Sequence, residues 1–368
     1  MRRLSSEFRR LVLRNRAEMY LLTMLVCFGL SVALTRLFLE LSGYPQLGNS
    51  ELHIAHVLWG GLLLFAGVLV LLMFANPWAA YTGAVLGGAG MGLFMDEVGK
   101  FITQSNDYFY PWAAPIIYGF FLLTVMIYLR VRRSRPDDPR SAMYHALDLL
   151  SEILDRDLEP GERAALLYHL RAAQSEEENE DLVLLSQTLL AYVEREDIHL
   201  APEKPDFWQR WEMRVKKWEE RYFSKGRFKW MLLFGLGGMA VISFIELAFV
   251  VGIQYFPEKI SETLIDLVLA GQVNGVQGVQ WFTAFSALSG GIGLMFVVAI
   301  VMCVLGKERT GFNYAYTGLL LELTAANLLA FYFDQFSTIF FALAQLVLLV
   351  AIVRYQRRFL MEAEESIL

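Results

Sequence analysis

Apolar runs long enough to cross a bilayer recur along this chain, and they constrain its fold more than any other feature. A helix crossing the hydrocarbon core needs about 20 mostly apolar residues. Eight stretches qualify, at roughly 18–41, 52–74, 78–102, 111–130, 229–255, 281–305, 312–333 and 336–354. Within lipid no water satisfies the peptide groups, so such runs fold as helices that close their own hydrogen bonds. Composition agrees: 56% of the 368 residues are apolar and 19% charged, against about a quarter charged in soluble domains. The 27 Phe, 16 Tyr and 8 Trp suit interfaces where rings sit at headgroup level. The expected fold is all-α: a polytopic membrane protein of eight transmembrane helices in two four-helix halves, with a cytoplasmic helical insertion. Residues 1–130 form the first half, 131–228 the insertion and 229–368 the second half.

The basic residues orient the chain. They gather before the first run (Arg2, Arg3, Arg9, Arg10, Arg14, Arg16) and after the fourth (Arg130, Arg132, Arg133, Arg135). They recur between the sixth and seventh (Lys307, Arg309) and after the eighth (Arg354, Arg357, Arg358). If eight helices alternate, all these ends share one side, and the excess of Lys and Arg makes that side cytoplasmic. Both termini and residues 131–228 are then inside. The opposite loops hold chiefly Lys100 and Lys259. The N-terminus reads as a basic lead into a retained first helix, because its apolar run is of full spanning length and lacks a small-residue cleavage pattern. Cys27 and Cys303 both lie inside apolar runs, where they serve as small packing residues and give no disulfide framework.

In SAMYHALDLLSEILDRD the residues Met143, Ala146, Leu147, Leu150, Ile153 and Leu154 recur at helical spacing. Pro160 opens PGERAALLYHLRAAQ at a position where a first helical turn accepts proline. A third amphipathic segment, DLVLLSQTLLAYVERE, follows the acidic EEENED, a run that suits a solvated turn and the positive end of a helix dipole. These three predict a small cytoplasmic helical bundle, with a possible protein partner at 131–228. In PDFWQRWEMRVKKWEERYF a stripe of Trp208, Trp211, Val215, Trp218 and Tyr222 faces away from Arg210, Arg214, Lys217 and Arg221. That pattern, directly before a spanning run, predicts a helix lying on the inner membrane face.

The two membrane halves share a repeat. MLVCFGLSVALTRLFLEL parallels MLLFGLGGMAVISFIELA and sets Glu40 opposite Glu246. HVLWGGLLLF echoes SALSGGIGLM, and AYTG occurs at 80–83 and 315–318. Both halves enter from the same side, so the repeat is expected to be parallel, about an axis along the membrane normal. The second half adds PEKISETLIDLVLAGQVNGVQGVQ, expected as a surface helix with glycine punctuation.

Charge inside the apolar runs is the chain's most informative feature. The third run ends in GLFMDEVGK, with Asp96, Glu97 and Lys100. Arg36 and Glu40 lie one turn apart near the far end of the first run, and His53 and His56 open the second. At 1.5 Å per residue these seven ionisable side chains from three consecutive helices reach one level of the membrane. Each charge costs about 2.5–3.5 kcal/mol at a helix centre, and less near the interface. They are kept when paired, hydrated or liganded. A structural reading pairs Arg36 with an acid and sends Lys100 to the headgroups. A metal reading makes His53, His56, Asp96 and Glu97, with Glu40, ligands of a divalent Zn or Fe. A translocation reading makes the same groups a proton or ion relay. Glu322 and Asn327 in the seventh run, Asp334 at its end, and Glu246 form a secondary polar set. Gly83, Gly87, Gly88, Ala89, Gly90 and Gly92 give the third helix a small-residue face for close packing, not a nucleotide loop. No phosphate-binding loop, nucleophile elbow or kinase signature is present.

HIAHVLWGG followed by GMGLFMDEVGKFITQSNDYFY resembles a pattern of bacterial multi-pass membrane proteins. The resemblance covers mainly the second to fourth helices and implies a bacterial inner-membrane location, with no activity to carry over. The functional expectation is a transporter-like, ion- or proton-handling membrane protein. The competing readings are a membrane metalloenzyme, hydrolytic or redox, and a sensor or scaffold acting through 131–228. The bilayer is the expected partner and nucleic acid is not.

Overall fold

The computed structural model describes residues 12–43, 55–108, 110–133, 139–174, 180–195, 198–202, 207–255, 275–334 and 338–361. Helix makes up 86% of it, and no strand occurs among the described residues. Seven helices are long and apolar enough to cross a membrane, which makes this an all-helical, multi-pass membrane protein. His53, Lys259, most of the acidic run and the segment 256–274 lie outside the described residues, as do the side chains of Trp208, Trp211, Val215 and Asp334.

The helices in chain order are α1 (Ala17–Ser42), α2 (His56–Met73), α3 (Pro77–Asp96), the short α4 (Val98–Ile102) and α5 (Ala113–Arg133). Then come α6 (Pro139–Leu154), α7 (Pro160–Ala173), α8 (Glu180–Val193) and α9 (Phe207–Tyr222). The remainder comprises α10 (Lys225–Tyr255), α11 (Gly275–Val304), α12 (Glu308–Leu321), α13 (Asn327–Asp334) and α14 (Thr338–Gln356). Between α12 and α13 a widened π turn covers Glu322–Ala326.

Two features differ from the sequence expectation. The third run is not one helix to residue 102. It breaks at Glu97, which adopts φ −93° and ψ 8° before α4 begins. The sixth run starts earlier than expected, because the glycine-rich 275–280 forms the first turns of α11. Elsewhere local chemistry marks the boundaries. Pro77 sits in the first turn of α3, where its missing N–H costs nothing. Gly306 takes φ 85°, a left-handed turn that lets the chain reverse between α11 and α12.

The chain divides into two compact units, Met1–Met24 with Thr124–Lys217, and Leu25–Leu123 with Trp218–Leu368. In the first, α6, α7 and α8 bury Ala146, Leu149, Leu166, Leu170, Ala173 and Val193 in a shared core. Arg163 ties this core to the end of α8 by donating to the Val193 and Arg195 carbonyls. In the second unit, α10, α11, α12 and α14 enclose Leu232, Leu236, Phe296, Phe312, Leu319, Ile352 and Tyr355. A separate cluster sets Phe28 and Val32 of α1 against Met95 of α3 and Ile117 of α5.

Candidate functional site

Glycine decides how closely α1, α2 and α3 approach, and that approach makes the site. A methyl added at Gly60 would lie 2.7 Å from the Phe94 nitrogen and 2.8 Å from the Gly90 oxygen. One added at Gly90 would lie 2.7 Å from the Gly60 oxygen. The α2 and α3 backbones therefore touch, which only residues without a Cβ permit. On another side of α3, a Cβ at Gly92 would meet the Ser31 side chain at 2.6 Å, and Ser31 Oγ donates to the Ala89 carbonyl at 2.9 Å. Gly60 lies one turn from His56, Gly92 one turn from Asp96, and Ser31 little more than a turn from Arg36. The close contacts thus sit directly beside the charged side chains and set the short spacing those side chains bridge.

Arg36 is buried, as are Asp96 and Glu97 at 1% exposure each. Arg36 Nε contacts Asp96 Oδ1, and Arg36 Nη2 donates to the Asp96 main-chain oxygen at 3.0 Å. His56 stands between the acids, with Nε2 2.9 Å from Asp96 Oδ2 and Nδ1 3.0 Å from Glu97 Oε1. Lys100 Nζ lies 3.1 Å from Glu97 Oε2. Neither Glu97 oxygen is hydrogen-bonded at these contacts; that with Lys100 is an ion pair, and that with His56 becomes one only when the ring is protonated. Glu97 and Asp96 lie three and four residues before Lys100, both within reach on a helix surface; Lys100 serves Glu97, and Asp96 is left to Arg36.

Tyr108 completes the group, and sequence reasoning did not single it out. Its hydroxyl donates to Asp96 Oδ2 at 2.7 Å. Its ring lies 4.1 Å from the Arg36 guanidinium carbon and 5.0 Å from Lys100 Nζ, and stands edge-on to His56. Burial, then the Asp96 carboxylate, push the phenol well above its usual range. The loop is folded back to bring it there. Thr103 Oγ1 donates to the Gly99 carbonyl and accepts from the Asp107 N–H. The Asp107 carbonyl comes so near that a Cβ at Gly99 would lie 2.7 Å from it. A tyrosine is common near a membrane interface, so its residue type carried no signal. Only the turn geometry singles it out.

The structure thus brings together Arg36, His56, Asp96, Glu97 and Lys100. Glu40, one turn beyond Arg36, is exposed, and His53 lies outside the described residues. The fixed charges balance: two acids face two permanent cations. His56 is the variable member. A neutral imidazole has one N–H, yet each ring nitrogen faces a carboxylate oxygen. One further proton, on the ring or on an acid, turns the remaining lone-pair contact into an attraction. Among the described residues no group of three His, Cys, Asp or Glu side chains could hold a metal ion.

The secondary set lies between α10 and α13. Glu246 on α10 accepts from Ser289 Oγ on α11 at 2.5 Å. Asn327 Nδ2 donates to Gln345 Oε1 at 2.7 Å, and Tyr118 of α5 donates to the Leu323 carbonyl in the π turn. Glu322 is buried at the start of that turn. Asp334 ends α13 in its backbone. Compared with protein-family models, curated proteins and solved structures, the chain matches none of them.

Proposed function

We propose that this protein is a transporter-like, proton-handling membrane protein, and that the cluster of Arg36, His56, Asp96, Glu97, Lys100 and Tyr108 binds and releases the proton. The observation that carries this reading is the His56 ring held between two buried carboxylates at 2.9 and 3.0 Å. A purely structural network would be satisfied by Arg36 with Asp96 and Lys100 with Glu97. The imidazole adds a group that can bind and release a proton through either ring nitrogen, in a place where its proton count alters every contact around it. Charged groups at membrane depth mark ion and proton pathways as a rule.

The architecture we infer has eight spanning helices. The eighth is α3, whose 20 residues extend about 30 Å and whose glycines bind it to two neighbours. The two halves, 1–130 and 229–368, are read as a parallel repeat. Two contacts support it: Gly83 of the first AYTG packs on Leu71 of α2, and Gly318 of the second packs on Phe296 of α11. Each is a third helix resting a glycine on a second. The excess of basic residues at those ends supports reading both termini and 131–228 as cytoplasmic in a bacterial cell, with the cluster towards the outer surface. The metalloenzyme reading has less support, because Arg36 and Lys100 occupy the carboxylates that a dication would need.

Proteoliposomes given a pH gradient and an entrapped pH dye test this. Flux above that of protein-free vesicles is expected, and loss of it in both His56→Gln and Asp96→Asn. A folded His56→Gln protein with undiminished flux removes the cluster from proton handling.

A further inference from the structure

The start of α10, the turn between α11 and α12 and the end of α14 meet around one carboxylate. Lys229 and Lys225, one turn apart on α10, reach Glu308 at 2.8 and 3.5 Å. Tyr355 of α14 donates to the same carboxylate at 3.1 Å, and Gln356 donates to Asn313 of α12 at 2.9 Å. From the end of α11, Cys303 donates to the Glu308 main-chain oxygen at 3.8 Å. This edge is strongly basic. Residues 225–229, 307–309 and 354–358 hold eight lysines and arginines and one acid, Glu308. The Glu-Glu-Arg run at 219–221, in the last turn of α9, lowers that balance by a single charge.

Three of these cations, Arg227, Lys307 and Arg357, are exposed and form no ion pair among the described residues. Each stands at the end of an exposed apolar face. Arg227 precedes Trp230, Phe234, Val241 and Ile245 by 3, 7, 14 and 18 residues, which puts all five on one stripe of α10. That stripe is turned away from Lys225 and Lys229, each two residues from Arg227. Ser224 Oγ accepts from Arg227 Nε and holds the guanidinium at the helix start. Lys307 follows the exposed Val301, Val304 and Leu305 across the Gly306 turn. Arg357 comes 7 and 14 residues after the exposed Val350 and Leu343 of α14.

We propose that this edge binds anionic phospholipids, with headgroup phosphates on Arg227, Lys307 and Arg357 and acyl chains along the apolar faces that lead to them. In a bilayer those faces meet hydrocarbon, and a long basic side chain at the end of one reaches headgroup level. The arrangement occurs on three neighbouring helix ends, so the fitting ligand is an amphiphile: an anion joined to a chain. A basic surface next to a membrane span recognises acidic lipid, at roughly five-fold in binding for each cation. Arg36 and Lys100, by contrast, are each paired with an acid of this chain.

Other anions fit less of the edge. A free phosphate would use the cations and leave the apolar faces without a role. A zwitterionic headgroup carries its own cation beside the phosphate, which opposes the attraction. The chain's own acids nearest Arg357 in sequence are Glu362, Glu364 and Glu365, and they bring no hydrocarbon to the stripe of α10.

Native mass spectrometry of the full-length protein, given equal amounts of phosphatidylglycerol and phosphatidylcholine in detergent, counts the lipids retained. Phosphatidylglycerol is expected in several-fold excess, with the ratio falling toward one when Arg227→Gln, Lys307→Gln and Arg357→Gln are combined. Arg227→Lys with Arg357→Lys should keep the excess. Equal retention of the two lipids by the parent, or an undiminished excess in the glutamine variant, overturns the proposal. Displacement of the lipid by an equal concentration of glycerol phosphate also overturns it, because the ligand would then be a free phosphate. So does an excess that appears only after Glu362→Gln, Glu364→Gln and Glu365→Gln, which would put the chain's own acids on the edge. Should the triple glutamine variant fail to fold, each single substitution must lower the ratio, and three silent ones overturn the site. None of these outcomes depends on proton flux through His56, so either proposal can fail alone.

Discussion

Arg36 grips Asp96 at two points, through the carboxylate and through the main-chain oxygen of the same residue. The second contact ties the guanidinium to the place where α3 breaks, so the ion pair also fixes the helix end. Both side chains are buried, and removing one strands the other's charge. We expect Asp96→Leu or Arg36→Met alone to destabilise the protein by about 3–5 kcal/mol. The double variant should recover part of that loss, because no unpaired charge is left between these two. Thermal unfolding in detergent checks this; equal losses in single and double variants would contradict it. Tyr108→Phe isolates a smaller share. It removes one hydrogen bond to a charged acceptor, worth about 1.5–3 kcal/mol, while the ring stays over Arg36.

The glycine contacts lead to a second expectation. At Gly60 an added methyl meets backbone atoms of α3 at 2.7 and 2.8 Å, and backbone cannot swing aside as a side-chain tip can. Gly60→Ala should force α2 from α3 and cost about 1–3 kcal/mol. Because His56 lies one turn away, the same change should loosen its contacts with Asp96 and Glu97. Gly61, next along the helix, has nothing within 4 Å of an added Cβ, so Gly61→Ala should be nearly silent. Comparing the melting temperatures of the two variants gives the answer, and equal effects would refute the backbone-contact account.

Much of this was legible in the sequence, and the reasons differ by residue. The apolar runs announced spanning helices because lipid leaves the backbone no alternative. Asp96, Glu97, Arg36 and His56 stood out because charge inside such runs is costly. The break at Glu97 was hidden, since neither proline nor glycine marks it and VGKFI reads as a continuing helix. Tyr108 was hidden because its placement depends on a loop folding onto Gly99, a contact between backbones that residue type does not encode. The π turn at Glu322 was equally invisible: ELTAA carries no breaker, and the turn is identified only by the hydrogen bond from Asn327.

The helical bundle of α6 to α8 carries a pH-dependent feature of its own. His145 and His169 face each other edge to face at 5.2 Å, and His145 Nε2 lies 2.9 Å from the Leu13 carbonyl. Burial, then the neighbouring His145, lower the His169 value below its usual 6.5. The sign follows from the order of protonation. Above pH 6.5 the ring is neutral in folded and unfolded chains alike, and its contribution is fully present. As pH falls below that value the unfolded chain takes up the proton first, so stability declines until pH has passed the lower folded value. Hydrogen exchange of residues 139–174, followed in the full-length protein from pH 7.5 downward, should show protection falling through this window after correction for intrinsic exchange. His169→Gln should flatten the decline, because a neutral side chain has no proton to gain. A decline equally steep in that variant would place its origin in another group.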